Sequence, residues 1–468
     1  MALSRIWSAF ILIAVAAALF KYLPQGGEKQ IFSSMIIGKS GDTVQIKSVS
    51  KTEITPAIAL ALDTISRAVE GKQIYKKEGD GFAVLKVQNA NGVIETGKDA
   101  VTICIGLVGI IALFMGFMSI AEKAGGINLL SRIISPFFTR IFPEIPKGHP
   151  AFGHMMMNFS ANLLNLDNAA TPFGLKAMES LQELNPDKSR ASNPQLMFMC
   201  LHASGLTLIP VTIIAARASL KAANPTDIFV PCMVATFAAT MAAMIIVSIK
   251  QKINLFQPVI LAWVLGVSAI IAMLVLYLVN LNTDQLQSFS GVLSNGLILF
   301  IFVAIVAGAL YKKINVFDAF VDGAKGGFET AVRIIPYLVG MLVAISLLRT
   351  SGTFDLVIDG AKTFFMWMGA DTRFVDGLPT ALIKPLSGSG ARGMMIDTMK
   401  TFGPDSFAGR LACVLQGSSD TTFYVIAVYF GAVGIKNTRY AVGAMLLADL
   451  VGILTSILLA YLFFGSSL

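Results

Sequence analysis

The sequence predicts an all-α polytopic membrane protein. Two inverted repeats are expected, each with an interfacial helix, a re-entrant helical hairpin and two following transmembrane helices, alongside a small β-containing extracytoplasmic insertion. Three observations carry this. Of 468 residues 55% are hydrophobic and only 14% charged, with a mean hydropathy of +0.72, which excludes an ordinary soluble domain. The apolar runs are long and continuous, which argues against a membrane β-barrel. Finally, two apolar stretches, 155–182 and 378–399, hold polar residues, glycine and proline at their centres. Amides and carboxylates are costly in hydrocarbon. A hairpin that enters the membrane part-way, its tip buried in protein or facing a wet cavity, accounts for them.

Residues 6–20 lie between Arg5 and Lys21 and read as a signal peptide or a first helix. Lys21 directly after the run, with no convincing small-residue site beyond it, favours an uncleaved helix over 1–24. Residues 25–98 form the one soluble-looking stretch. Alternation around GKSGD predicts a hairpin in 30–51, 56–70 reads as an amphipathic helix, and FAVLKVQ and GVIET read as strands around an Asn-Gly turn. No catalytic constellation occurs there.

Membrane segments follow at about 99–121, 194–216, 226–249, 257–280, 291–311, 331–349, 407–430 and 439–463. The first hairpin falls between the first two, and the second precedes 407–430. Residues 127–142 and 353–368 are short and amphipathic, as interfacial helices are. Lys250 with Lys252, and Lys312 with Lys313, bracket two spans whose connecting loop lacks Lys and Arg, so both pairs are expected in the cytoplasm. Counting back puts the amino terminus inside and 25–98 outside. Lys384, Arg392, Lys400 and Arg410 run against that rule.

DAVTICIGLVG (99–109) matches TAVRIIPYLVG (330–340), and LHASGLT (201–207) matches LQGSSDT (415–421). An odd number of expected crossings separates the two units, which makes them inverted, the plan of many secondary transporters. The chain divides into 1–24, 25–98, a first repeat at 99–250, two linking helices at 251–313 and a second repeat at 314–468.

Polar residues within apolar spans cluster in four places. The first hairpin offers Asn158, Asn162, Asn165, Asp167, Asn168 and Thr171, and the second Ser387, Ser389 and Arg392. His202, Ser204 and Thr207 precede the helix-breaking Pro210. Gln416, Ser418, Ser419, Asp420 and Thr421 sit mid-span. Hydroxyls, amides and free backbone groups of this kind bind small polar solutes, and helix N-termini favour anionic groups. Asp420 and Asp167 are the candidates for ion coupling, to Na⁺ or H⁺. Structural roles compete for each: interhelical hydrogen bonds for the asparagines, a helix cap for Asp167, lipid headgroups for Arg392 and a hydrogen-bonded core position for His202. The four cysteines lie in apolar runs, as small core residues do, and no zinc spacing is present. The net charge of +8 needs no nucleic-acid partner, because Lys and Arg mark topology.

NxxANxLxLxNAATPFGLKAMExLQELNP (158–186) resembles the signature of the spore maturation protein A family. IKPLSGSGARGMMID (383–397) and CxxxGSSDTTFYxxAVYFGxVGIKxTRY (413–440) resemble that of the B family. Both belong to the nucleoside recognition, or gate-domain, families related to concentrative nucleoside transporters. The resemblance implies a bacterial inner-membrane protein with hairpin–helix–helix repeats in inverted pairs. A homo-oligomer follows by analogy only. Parts of 25–98 depart from the A-type pattern as an insertion. The leading expectation is a secondary-active transporter of a small polar solute, anionic ones included, working in a lipid bilayer without cofactor or enzymatic activity. The alternative is a non-transporting sensor or scaffold acting through 25–98.

Overall fold

Helix α1 (Ala2–Tyr22) leads into a small mixed region. Residues 2–23, 29–49, 62, 68–70, 73–78, 81–146, 148–163, 167–207, 209–280 and 283–465 are described by a computed structural model. Helix α2 (Ile31–Ile37) runs into β1 (Gly38–Val49). Strands β2 (Ala68–Glu70), β3 (Gln73–Glu78) and β4 (Gly81–Asn91) follow. They form an antiparallel sheet in the order β1-β4-β3-β2.

Three local expectations change here. The expected hairpin at 30–51 is a helix followed by one long strand. GKSGD does not turn the chain but holds an irregularity in register between Lys39 and Asp42, the extra residue of a β-bulge. GVIET is not a strand but the start of α3 (Val93–Lys123). Gly92 sits so close to α2 that a Cβ there would lie 2.4 Å from the Ile36 carbonyl oxygen. Asn91 donates to Asp99 (2.8 Å) and Thr96 to the Asn91 carbonyl (3.2 Å), and Glu95 adds an acid to the first turn, where the helix dipole favours it. The end of the expected helix over 56–70 is strand β2. The rest of it, Leu62 apart, lies outside the described residues.

The helical body then runs in two matching series. In the first come α3, α4 (Gly126–Ile141), α5 (Pro150–Leu163), α6 (Asp167–Glu183), α7 (Asn193–Ala203) and α8 (Val211–Ser219). Three helices follow: α9 (Phe229–Gln251), α10 (Pro258–Val279) and α11 (Thr283–Tyr311). The second series is α12 (Val316–Thr350), α13 (Thr353–Trp367), α14 (Leu378–Ile383), α15 (Gly388–Phe402), α16 (Phe407–Gly417) and α17 (Thr422–Ala432). Helix α18 (Ala441–Phe464) closes the chain. Each series holds a long helix, a left-handed glycine (Gly125, φ +82°; Gly352, φ +70°), a short amphipathic helix, a packed helix pair and a broken helix.

Among the described residues, Val93–Lys123, Phe229–Gln251, Phe407–Ala432 and Ala441–Phe464 are long and apolar enough to cross a membrane. Ile335–Thr350 with Thr353–Trp367, bent by 73°, makes a fifth if counted as one span. The protein is therefore a multi-pass helical membrane protein.

Helices α3 and α12 pack at backbone distance. A Cβ on Gly323 would lie 2.4 Å from the Met115 carbonyl oxygen, and one on Gly327 2.6 Å from Ala112 Cα. As α12 ascends from 323 to 327, its contacts on α3 descend from 115 to 112, so the two run antiparallel. Glycines four apart on one face permit this approach. Beside them Phe117 stacks on Phe302 of α11 with ring centroids 3.8 Å apart. Helix α1 is tied to α12 by Trp7 Nε1 donating to the Gly340 carbonyl (2.9 Å) and Lys21 Nζ to that of Ser351 (2.7 Å). All four cysteines are buried.

Candidate solute-binding site

Two helices break at the same place in space. Helix α7 opens on a Ser192–Gln195 capping box, which satisfies two otherwise orphaned N–H groups. It ends at Ala203, where Gly205 adopts φ +63°. Pro210, which has no N–H to continue a helix, precedes α8. Helix α16 stops at Gly417 and α17 resumes at Thr422, leaving 418–421 unwound. The two breaks touch: the Asp420 N–H donates to the Ala203 carbonyl at 2.8 Å. A Cβ at Gly205 would lie 3.0 Å from the Asp420 nitrogen, so glycine permits both the turn and the crossing.

A polar cavity of about 140 Å³ opens beside this crossing. Its wall holds Asn162 of α5, Gly205, Thr207, Pro210 and Thr212 from the first break, and Gln416, Ser419 and Asp420 from the second. Lys384, just after α14, completes it. The Asp420 side chain is 47% exposed, as a carboxylate facing a wet space is. Gln416 is 6% exposed, and among the described residues its Oε1 has no hydrogen-bond partner.

Behind Asn162 lies a buried network. His202 Nδ1 faces Asn162 Nδ2 at 2.8 Å and Asn158 Oδ1 at 3.0 Å. It accepts from the first when unprotonated and donates to the second when it carries the proton. His202 Nε2 stands 4.0 Å from Asp420 Oδ2. Asn158 also donates to the Ala170 carbonyl (2.7 Å), which ties α5 to α6. Tyr429 of α17 packs its ring edge on His202 at 4.8 Å between centroids, with Thr171 and Asn158 close to its hydroxyl. Only glycine fits at 174, because a Cβ there would lie 2.4 Å from the Tyr429 ring. The first helix pair thus meets both broken helices. The second meets the α16–α17 break through Phe423 N–H donating to the Pro385 carbonyl (3.0 Å).

Of the residues singled out in the sequence, Asn162, Thr207, Gln416, Ser419 and Asp420 reach the cavity wall, with Asn158, Thr171 and His202 behind it. Thr421 lies beside the start of α15, where a Cβ on Gly388 would come within 2.6 Å of its hydroxyl. Others do not line the cavity. The Ser204 hydroxyl bonds the Leu201 carbonyl (2.7 Å) and that of Ser418 the Leu415 carbonyl (2.9 Å). Ser387 caps α15 by accepting from the Gly390 N–H (3.0 Å), so the SGSG run is the first turn of a helix, not the tip itself. Ser389 and Arg392 line a separate small cleft with Tyr337 and Leu338. Asn165 lies outside the described residues, as do the side chains of Asp167 and Asn168.

Two residues escaped the sequence reading. In the sequence Lys384 reads only as a topology charge, yet it is buried in the cavity wall. Asp449 is buried in α18, where it accepts from Thr422 Oγ1 at 2.6 Å. A lone Asp in MLLADLVG carries the same signal as Asp420, an acid at membrane depth. Of the remaining cations that ran against the positive-inside rule, Lys400 pairs with Asp99 and Arg410 with Asp227 (2.8 Å). They neutralise internal acids.

A polar cavity at the crossing of two interrupted helices, inside a multi-pass helical membrane protein, defines the class. The nucleoside recognition (gate) family matches residues 104–220 and 331–436, the two helical series. Spore maturation protein B of Bacillus subtilis is 49% identical over 177 residues, 37% of this chain and 98% of that protein. Spore maturation protein A of the same organism is 41% identical over 161 residues, 34% of this chain and 82% of that protein. The chain belongs to this family and joins regions similar to A and to B in one polypeptide. No solved structure matches it.

Proposed function

We propose that the protein is a secondary-active carrier of a small polar solute, with the site between the two helix breaks. One observation carries this reading. Two unwound segments, one from each gate match, hydrogen-bond to each other at the wall of a polar cavity between otherwise apolar helices. Non-helical backbone at membrane depth is tolerated where it lines such a cavity, and carriers place substrate there.

The matching order of elements, and the antiparallel packing of α3 on α12, support inverted repeats with α5–α6 and α14–α15 as re-entrant hairpins. Alternating access comes from one repeat rocking against the other. Asp420, half-exposed and 4.0 Å from His202, is the coupling site for Na⁺ or H⁺. The internal pairing of Lys400 and Arg410 supports the charge-based orientation in a bacterial inner membrane: amino terminus cytoplasmic, sheet region outside. The reading needs no cofactor, no nucleic acid and no catalytic step.

The test is uptake by proteoliposomes offered amino acids, carboxylates, nucleosides and phosphates under imposed Na⁺ or H⁺ gradients. Gradient-driven accumulation of one class, reduced at least ten-fold in Asp420→Asn, is expected. Accumulation indifferent to both gradients would remove the coupling role, and none with any solute would sink the carrier.

A further inference from the structure

We infer that a second pocket, on the lipid-facing side of the first helical series, binds one acyl chain of an anionic phospholipid. This goes beyond the carrier reading and does not depend on it. The pocket measures about 160 Å³ and lies between α4, α5, α7, α9 and α10. The rings of Phe137, Phe159, Phe237 and Trp263 and the side chains of Met241 and Met244 form much of its wall. It is distinct from the polar cavity, and Asn162 lines both.

The polar groups in the wall are already bonded within the protein. Apart from the half-buried Trp263 indole they belong to Asn162, His202 and Thr240. Asn162 Nδ2 and His202 Nδ1 face each other at 2.8 Å. Thr240 donates to the Thr236 carbonyl (2.8 Å) and accepts from Ser204 Oγ (2.9 Å). Water needs about two to four polar partners to settle in a cavity, whereas an apolar cavity of roughly 150 Å³ stays dry and admits a six-carbon ring. The occupant is therefore apolar, with room for about six carbons of a chain.

Location identifies the source of that chain. Phe137, Met241, Trp263, Val264 and Val267 on the wall are half-buried. Beyond them Ile245 and Ile249 of α9 and Leu261 and Leu265 of α10 are exposed. In a multi-pass membrane protein such an apolar surface faces lipid tails, so the pocket opens onto them. Helix α4 supplies the charge. It turns Ile134, Phe137 and Phe138 to the pocket, while Arg132 and Arg140 are exposed. An amphipathic helix with exposed arginines lies at headgroup depth, where a guanidinium pairs with phosphate through two hydrogen bonds. Arg140 stands about one turn from Phe137, close enough for one lipid to meet both. A headgroup with net negative charge is favoured there over a zwitterionic one. The chain end then rests against Asn162 and closes the bilayer side of the residue whose other side lines the polar cavity.

The experiment uses Trp263 as the reporter. The Trp7→Phe/Trp367→Phe variant of the full chain keeps it as the single tryptophan. The protein is reconstituted in phosphatidylcholine vesicles holding increasing fractions of phosphatidylglycerol brominated on its chains, or of brominated phosphatidylcholine. With the glycerol lipid, quenching is expected to saturate, reaching half its maximum at a mole fraction at least five-fold lower than with the choline lipid. Val264→Phe, which fills the pocket from its lipid-facing side, should abolish the saturating phase. Arg140→Gln should raise the half-saturating fraction at least five-fold and leave the maximum unchanged. Equal, unsaturated quenching by both lipids overturns the inference, as does a saturating phase that survives Val264→Phe. Native mass spectrometry of the unaltered chain, released from micelles holding both lipids in equal amounts, decides even if a variant fails to fold. One retained phosphatidylglycerol per chain is expected. Retention of neither lipid, or of both equally, overturns the site.

Discussion

Replacing Arg217 by Met should destabilise the protein more than any surface change. Arg217 ends α8 and is fully buried. Its guanidinium donates to the carbonyls of Asn224 (3.0 Å) and Pro225 (3.2 Å) and of Pro404. It also pairs with Asp227 (2.9 Å) and Asp405 (3.1 Å). Asp227 in turn receives Arg410 Nε at 2.8 Å, so the cluster joins the end of the first gate match to the second. A buried pair formed from well-packed groups is close to neutral overall, but removing one partner leaves the other charge uncompensated, at about 3–5 kcal/mol. That is roughly a 10²- to 10⁴-fold change in the folding equilibrium. The carbonyls lose a charged donor as well, so the upper part of the range is expected. The assay is reversible unfolding in mixed micelles, followed by tryptophan fluorescence. A companion cycle with Asp405→Asn should show coupling, the second change costing less once Arg217 is gone. A single variant within about 0.5 kcal/mol of the parent would refute the reasoning.

Gly327→Leu should prevent close packing of α3 on α12, since the obstacle is the Ala112 backbone rather than a side chain that can swing away; a loss of 3 kcal/mol or more, at the top of the range for overpacking, is expected in the same unfolding assay. Gly174→Val should drive a side chain into the Tyr429 ring and cost about 1–3 kcal/mol, read as a lower unfolding midpoint, with weaker near-ultraviolet dichroism from the tyrosine. Lys123→Ala removes an ion pair to Asp322 of 2.7 Å between exposed side chains, and should change stability by less than about 1 kcal/mol, a shift that 0.5 M salt should erase.

How much of this was legible depends on where the information sits. Helices stand at every expected membrane segment, because long apolar runs specify them by composition. The broken helix at 202–210 was visible through Gly205 and Pro210, and 416–422 through an acid and four hydroxyl residues in an apolar run. Spacing cannot show that the breaks cross, because the Asp420–Ala203 hydrogen bond joins backbone groups. It could not separate Ser204 and Ser418, whose hydroxyls turn back onto their own helices, from Ser419, which faces the cavity. Lys384 was misread because one residue type serves as topology signal, ion-pair partner and site wall. The 25–98 region was hardest. Short strands were rightly expected there, but GKSGD fits a turn or a bulge equally well, and the choice was made by distant pairing with β4.

The glycine seam between α3 and α12 has a mechanical consequence. Backbones in direct contact at Ala112 and Met115 leave no side-chain layer to shear, so that seam behaves as an axle with little play. At the crossing of the two breaks a backbone hydrogen bond of 2.8 Å, worth about 1 kcal/mol net, adds to the Arg217 cluster and the Tyr429–His202 packing that also join the halves. Stiffness is therefore distributed unevenly. The unwound breaks, which lack helical hydrogen bonds of their own, are the softest part of that contact, while the seam keeps the halves in register.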